Sequence, residues 1–397
     1  MERLWTKSFV LVIIGMFFLF TAFYMLYPTL PLYIKKIGGD ESQVGLAMGA
    51  FMLTAVIIRP FVGGLLDRYG RRPFIFWGLL CFAVILYMYN WVGGLIALMI
   101  LRILHGISWA VTTTAILTAV TDLIPTTRRG EGMGWSGMAM TLAMAIGPLF
   151  GLWVTEHLSY QSLFVIAVLL CIAALFLATS AKMNFTPKKG TKKIDLFEKS
   201  VLPVTSVVFL LFIAYGGITT FVPLFADSIK VNSGTFFLVY AVTLVLVRPL
   251  GGRLSDRYSE MYVIVPALTI TIVSLFVLSF STDVFGVLVS AILYGIGFGS
   301  AQPVLQAAII RLVSPERTGV ANASFSTATD LGIGLGAILL GWVSDHTSYQ
   351  IVFIVSALSV VFSLLMFNIF VIRMLKTNRN QIVKTSGTSR LPLRTKK

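Results

Sequence analysis

One carboxylate and three guanidinium groups stand where so apolar a chain should carry no charge. Asp330 lies about eleven residues inside an apolar run, and Arg59, Arg102 and Arg248 are each set deep inside others. Insertion scales put a charged side chain at a bilayer centre at about 2.5–3.5 kcal/mol, so each needs a buried partner or a water-filled cavity. A carboxylate so placed can bind and release a proton or hold part of a solute. It can equally form a structural ion pair with one of the arginines. A guanidinium reads carboxylates bidentately. Asn322, Ser326 and Asp330 recur every four residues as a polar stripe on one helix face. Arg102, His105, Trp109 and Thr113 form a second rough stripe, in which His105 is the other titratable group.

The elements that must position these residues follow from composition. Of 397 residues, 57% are hydrophobic and 12% charged, against about a quarter charged in a soluble domain. Apolar runs of roughly 20 residues match a bilayer core about 30 Å thick. Twelve helical spans are predicted, near 9–34, 43–66, 73–90, 94–121, 131–154, 160–181, 200–226, 233–254, 261–280, 284–311, 319–343 and 349–373. The fold class is all-α integral membrane, twelve transmembrane helices in two pseudo-symmetric six-helix bundles. The first run is too long for a signal-peptide core and lacks a small-residue cleavage site. Cys81 and Cys171 each lie in an apolar run and are read as small hydrophobes, not as a disulfide or metal site.

The net charge of +15 would suggest nucleic acid in a soluble protein; here it reads as topology. The N-terminus, the even-numbered loops, the central linker and the tail hold twenty-three of the 31 Lys and Arg residues. The opposite loops hold Lys35, Lys36 and Lys230. That asymmetry places both termini in the cytoplasm. The domains expected are a bundle over 1–181, a linker over 182–199, a bundle over 200–375 and a basic tail over 376–397, read as disordered and attracted to anionic headgroups.

The chain repeats itself. "RPFVGGLLDRYG" from Arg59 recurs as "RPLGGRLSDRYS" from Arg248, 189 residues later, with seven of twelve positions identical. The run from Trp153 to Phe164 recurs between Trp342 and Phe353 at the same offset. Parallel repeats of this kind relate two halves about the membrane normal, with a substrate site between them near the midplane. Thr141 stands at the position equivalent to Asp330, so symmetry did not place the acid.

These features resemble the major facilitator superfamily over essentially residues 1–375. "GGLLDRYGRR" matches the family's loop motif at Gly63, Asp67, Gly70, Arg71 and Arg72, with Arg68 inside it; the second copy keeps Gly252 and Asp256. "RILHG" resembles the fourth-span pattern, with His105 where Gln is usual. "GWSGMAMTLAMAIGPLFG" resembles the fifth-span antiporter motif through Gly134, Gly147, Pro148 and Gly151, although Ala143 and Leu152 replace glycines. The resemblance implies a drug:proton antiporter-like exporter in a bacterial cell membrane, working as a monomer on a small molecule and protons, with no cofactor and no nucleic acid. It makes Asp67 and Asp256, with Arg128 nearby, a cytoplasmic latch against the N-terminus of span eleven. A helix N-terminus carries about half a positive charge, worth about 0.3–1 kcal/mol to an adjacent carboxylate. The bland reading is that these loops only set topology.

By the same resemblance, spans one, four, seven and ten line a central cavity. This makes Tyr24, Tyr27, Trp109, Thr113, Tyr215, Tyr294, Phe298 and Gln302 wall residues, though each could equally be core. Arg59 and Arg248 would face substrate carboxylates, or each Arg-Pro pins a helix bend to nearby carbonyls. Proton coupling falls to Asp330, with Arg102 and His105. One deep acid against three arginines points to an anionic, zwitterionic or metal-chelating cargo, a charge balance that fits bacterial opine-type metallophore exporters. The alternatives are an uptake symporter, a broad-range multidrug pump and, remotely, a receptor or enzyme; no protease, P-loop or nucleophile-elbow motif is found. His157 and His346, beside Glu156 and Asp345, read as helix-end polarity before a metal or pH role.

Overall fold

The computed structural model describes residues 3–125, 128–183, 199–258, 260–313 and 318–375. Arg317, most of the linker, the tail and the side chains of Asp67, Asp256 and Asn322 lie outside the described residues.

Twelve helices follow the apolar runs: α1 (Lys7–Lys36), α2 (Glu41–Tyr69), α3 (Arg72–Met88), α4 (Leu95–Leu123), α5 (Arg129–His157), α6 (Tyr160–Ser180), α7 (Leu202–Ser228), α8 (Ser233–Tyr258), α9 (Met261–Ser279), α10 (Val284–Arg311), α11 (Thr318–His346) and α12 (Tyr349–Met366). All twelve have the length and hydropathy to cross a membrane. Five, α1, α2, α5, α8 and α11, outrun the expected spans by a few residues, because apolarity stops at the membrane surface whereas a helix continues to its cap. Thr6 accepts the N–H of Phe9 ahead of α1. Asp40 and Gln43 form a reciprocal capping box ahead of α2.

Helices α1–α6 and α7–α12 form two bundles. In the first, α1 packs on α5 and α6, and α2 and α3 on α4; in the second, α7 packs on α11 and α12, and α10 on α8 and α9. Small residues set the closest approaches. A Cβ on Gly147 or Gly151 would strike Tyr24 and Met25 of α1. The Gly-Pro segment of α5 is thus a packing face inside the first bundle. Gly134, more than three turns away, has nothing within 4 Å of such an atom.

The bundles meet through α2 with α11, α5 with α8, and α1 with α7. Glycines let the backbones of α2 and α11 approach closely. A Cβ on Gly45 would strike Ala337 and Gly341, and one on Gly49 would strike Gly334 and Ile338. Polar clasps close the same rim. The Tyr349 hydroxyl donates to Glu41 at 2.9 Å, Lys35 pairs with Glu41 at 2.8 Å, and Asn232 donates to Glu156 at 3.0 Å. Among the described residues, cross-bundle polar contacts run from this rim, which carries Glu41 and Tyr349, to the level of Arg59 and Asp330. The opposite, basic end of the molecule carries Thr6, Arg71 and Lys182.

Candidate functional site

The Arg-Pro pairs sit in α2 and α8, each with its proline inside the helix. The missing N–H of a proline frees a carbonyl one turn back. Among the described contacts, neither arginine turns to such a carbonyl. Both reach into the other bundle. Arg59 Nη2 on α2 lies 2.7 Å from Asp330 Oδ2 on α11, with 17% and 10% of the two side chains exposed. Arg248 on α8 donates to Thr141 on α5 and to Gln302 on α10, and its Nη2 lies 3.8 Å from Met144 Sδ.

Subtracting 189 from Arg248 gives Arg59, and from Asp330 gives Thr141. The two arginines thus make the same contact in the two halves, to a carboxylate on one side and a hydroxyl on the other. Neither environment is saturated. Arg59 Nε, Arg248 Nε and Asp330 Oδ2 are buried without a hydrogen-bond partner, so the Arg59–Asp330 contact is a charge pair without hydrogen-bond alignment. Such a buried pair holds a fine balance between Coulomb attraction and desolvation.

Phenols gather at the same level. Tyr24 on α1 lies within electrostatic reach of both Arg248 and Asp330, and Tyr27 within reach of Asp330 and Arg102. Tyr215 on α7 stacks on Phe298 at 4.8 Å, Phe298 stacks on Tyr294 at 5.4 Å, and Tyr294 meets Tyr240 at 5.6 Å. The hydroxyls of Tyr240 and Tyr294 are buried without partners. Tyr240 was not foreseen as a wall residue. Its signal was the stripe Tyr240–Leu244–Arg248, which puts it on the arginine's face of α8.

The residues expected on α4 sit inside the first bundle. Arg102 is 3% exposed; its Nε donates to the Ala47 carbonyl at 2.8 Å and its guanidinium lies 4.3 Å from the Phe51 ring centre. His105 Nδ1 lies 3.3 Å from the Tyr89 hydroxyl, while its Nε2 faces no partner. Trp109 stacks on Phe23 at 3.9 Å, and Thr113 bonds back to the Trp109 carbonyl. The second bundle repeats this motif with other residues. Phe51–His105, at 4.9 Å, becomes Tyr240–Tyr294, and Phe23–Trp109 becomes Phe212–Phe298 at 5.4 Å.

At the basic end, Gly70 ends α2 at φ 87°, in the left-handed region that glycine adopts without strain. This turn lets the Arg71 guanidinium fold back onto the Leu66 carbonyl at 2.9 Å and onto Asp122 at 2.7 Å. Arg68 lies over Tyr69, Arg72 is exposed at the start of α3, and Arg128 pairs with Glu131. Gly63 has open space beside it. Arg71, Arg72, Asp122 and Lys182 border a pocket of about 400 Å³ that lies within the first bundle, apart from the cleft. Its repeat equivalent carries the opposite polarity: Glu260 stands for Arg71 and Arg311 for Asp122, paired at 2.6 Å. The histidines at the ends of α5 and α11 each fold back on their own helix, His157 to the Trp153 carbonyl and His346 to that of Trp342. No group of metal-ligating side chains occurs among the described residues.

Known proteins share this architecture. The chain is 25% identical over 372 residues to the staphylopine export protein of Staphylococcus aureus, covering 87% of this chain and 92% of that one. It is 25% identical over 362 residues to the quinolone resistance protein NorA of Staphylococcus aureus, covering 85% and 90%. Two solved structures superpose with a TM-score of 0.71. One is a D323A mutant of the nucleoside transporter NupG, 16% identical and covering 91% of this chain and all of that one. The other is a bacterial homologue of the human lysosomal transporter Spinster, 14% identical and covering 96% and 98%. The profile of the Major Facilitator Superfamily matches residues 12–239 and 230–395. With twelve helices in two repeated bundles around a charged cleft, the chain belongs to the Major Facilitator Superfamily and is a membrane transporter.

Proposed function

We propose that this protein exports a small anionic, zwitterionic or metal-chelating molecule from the cytoplasm by proton antiport and alternating access. The observation that carries the reading is the Arg59–Asp330 pair, a titratable carboxylate held across the moving interface by a cation of the other bundle. The excess of basic residues at the end that carries Arg71 and Lys182 supports a cytoplasmic orientation of that end and of both termini. A cleft that opens at that end takes cargo from the cytoplasm.

In this scheme, ionised Asp330 holds Arg59 while cargo loads. Proton uptake from the opposite side neutralises Asp330, removes the attraction and accompanies discharge. A potential of about 100 mV contributes roughly 2.3 kcal/mol per charge moved, about fifty-fold in gradient. His105 is the second titratable group, and Asp67 and Asp256 latch the cytoplasmic side when it shuts. The staphylopine exporter supports a chelating cargo. The quinolone resistance relative and the aromatic cluster support a second reading, broad-range efflux.

Asp330→Asn removes the titrating group while keeping its shape. In inside-out vesicles with an imposed pH gradient it should abolish pH-driven cargo accumulation yet allow passive exchange. Undiminished pH-driven accumulation would remove Asp330 from coupling.

A further inference from the structure

The two halves of the cleft hold the same arginine in different company. Arg59 faces a carboxylate that the protein supplies itself. Arg248, 189 residues on, faces at the equivalent place the hydroxyl of Thr141, with the Gln302 amide oxygen beside it. The other groups that reach it electrostatically are the phenols Tyr240, Tyr24 and Tyr215. Among the described residues no carboxylate touches it. Its Nε is buried without a partner, and the nearby Tyr240 and Tyr294 hydroxyls are likewise unpartnered. A half-buried guanidinium served only by neutral acceptors is an incompletely compensated cation.

We propose that Arg248, with Gln302 and Tyr240, forms an anion subsite, and that a carboxylate of the cargo brings to Arg248 the negative charge that Asp330 brings to Arg59. The protein's own ion pair is thus the template for its ligand, and Thr141, which gives Arg248 a hydroxyl and no charge, leaves that role to the cargo. Carboxylates suit the place better than point anions. The guanidinium presents parallel N–H groups to two oxygens, and neighbouring phenols can donate to the same group. The inference rests on the cleft being the cargo path and deepens that reading by fixing where the negative end of the cargo sits.

The test is binding to the full-length protein in lipid nanodiscs without any gradient, read by fluorescence anisotropy. Two xanthene dyes of like shape serve as probes, anionic fluorescein and cationic rhodamine 6G, with glutarate as competitor. Wild type should bind fluorescein in preference to rhodamine 6G, and glutarate should displace it. Thr141→Asp supplies Arg248 with an internal carboxylate and should weaken fluorescein about tenfold or more, the value of a lost hydrogen-bonded charge contact, without weakening rhodamine 6G. Thr141→Asn, of similar size and uncharged, should fall well short of that loss. The exchange variant Thr141→Asp/Asp330→Thr leaves Arg59 in place of Arg248 without an internal carboxylate and should regain fluorescein binding. A thermal melt of each variant separates misfolding from lost affinity. The proposal is overturned if wild type prefers rhodamine 6G, if folded Thr141→Asp binds fluorescein as wild type does, or if it loses both dyes equally. Anion binding that behaves as stated in a protein with no pH-driven transport would sink the antiport reading and leave this one standing.

Discussion

Arg59 on α2 and Asp330 on α11 meet at 2.7 Å across the boundary between the bundles, as the repeat equivalent of the Arg248–Thr141 contact between α8 and α5. One ion pair therefore ties the two bundles together along α2 and α11. Stability and transport should both depend on it, in ways that can be separated.

Removing one partner leaves the other buried and uncompensated. Arg59→Gln and Asp330→Asn should each destabilise the protein by on the order of 3 kcal/mol. The double variant should recover most of the Arg59→Gln loss, because neither charge remains. Thermal unfolding in detergent measures all three. A double variant no more stable than Arg59→Gln would show that the pair contributes through shape and not charge.

The latch makes a different demand. Asp67→Asn should leave insertion and melting temperature intact and cut vesicle flux severely. Asp256→Asn should cut it less, because the second loop ends in Ser259 where the first has Gly70. Normal flux in well-folded Asp67→Asn would reduce the loop to a topology signal.

Orientation is checked by labelling. An impermeant maleimide applied to intact cells should label Lys230→Cys and spare Lys182→Cys until the membrane is permeabilised. Cys171 is buried, and Cys81, which is exposed midway along α3, is replaced by serine in both variants. The reverse pattern would invert the transport direction assigned here.

The α2–α11 seam is tested by overpacking it. Gly49→Val places methyls against the Gly334 carbonyl, 2.6 Å from an ideal Cβ, and a carbonyl cannot rotate away. We expect a loss of about 1–3 kcal/mol and a rise in labelling of cysteines placed at the Glu41 rim. Unchanged melting and labelling would mean that the helices part there at no cost.

Much of the fold was legible because hydropathy reports span length directly and the 189-residue repeat reports the second bundle. The same repeat named Arg59, Arg248 and Thr141 as related positions. It could not say that each arginine crosses to the other bundle, since partner choice depends on how the bundles dock. Nor could it tell which stripe of α4 faces the cleft. Arg102 has the deep charge of a cleft residue, yet it goes to the Ala47 carbonyl and the Phe51 ring. Tyr240 escaped notice because its hydroxyl matters only beside Tyr294, 54 residues away in sequence.

The glycine seam has a kinetic consequence. Where interlocked side chains separate, rotamers must rearrange on both faces before the surfaces part, and that friction enters the activation barrier. Between Gly45 and Gly341, backbone rests on backbone, and nothing there has to change rotamer. That edge can act as a bearing, rolling as the bundles tilt, while the opposite edge along α5 and α8 swings farther and carries the side-chain rearrangement. The turnover rate of the cycle should then answer to the Glu41–Tyr349 and Glu156–Asn232 clasps far more than to the extent of the seam itself.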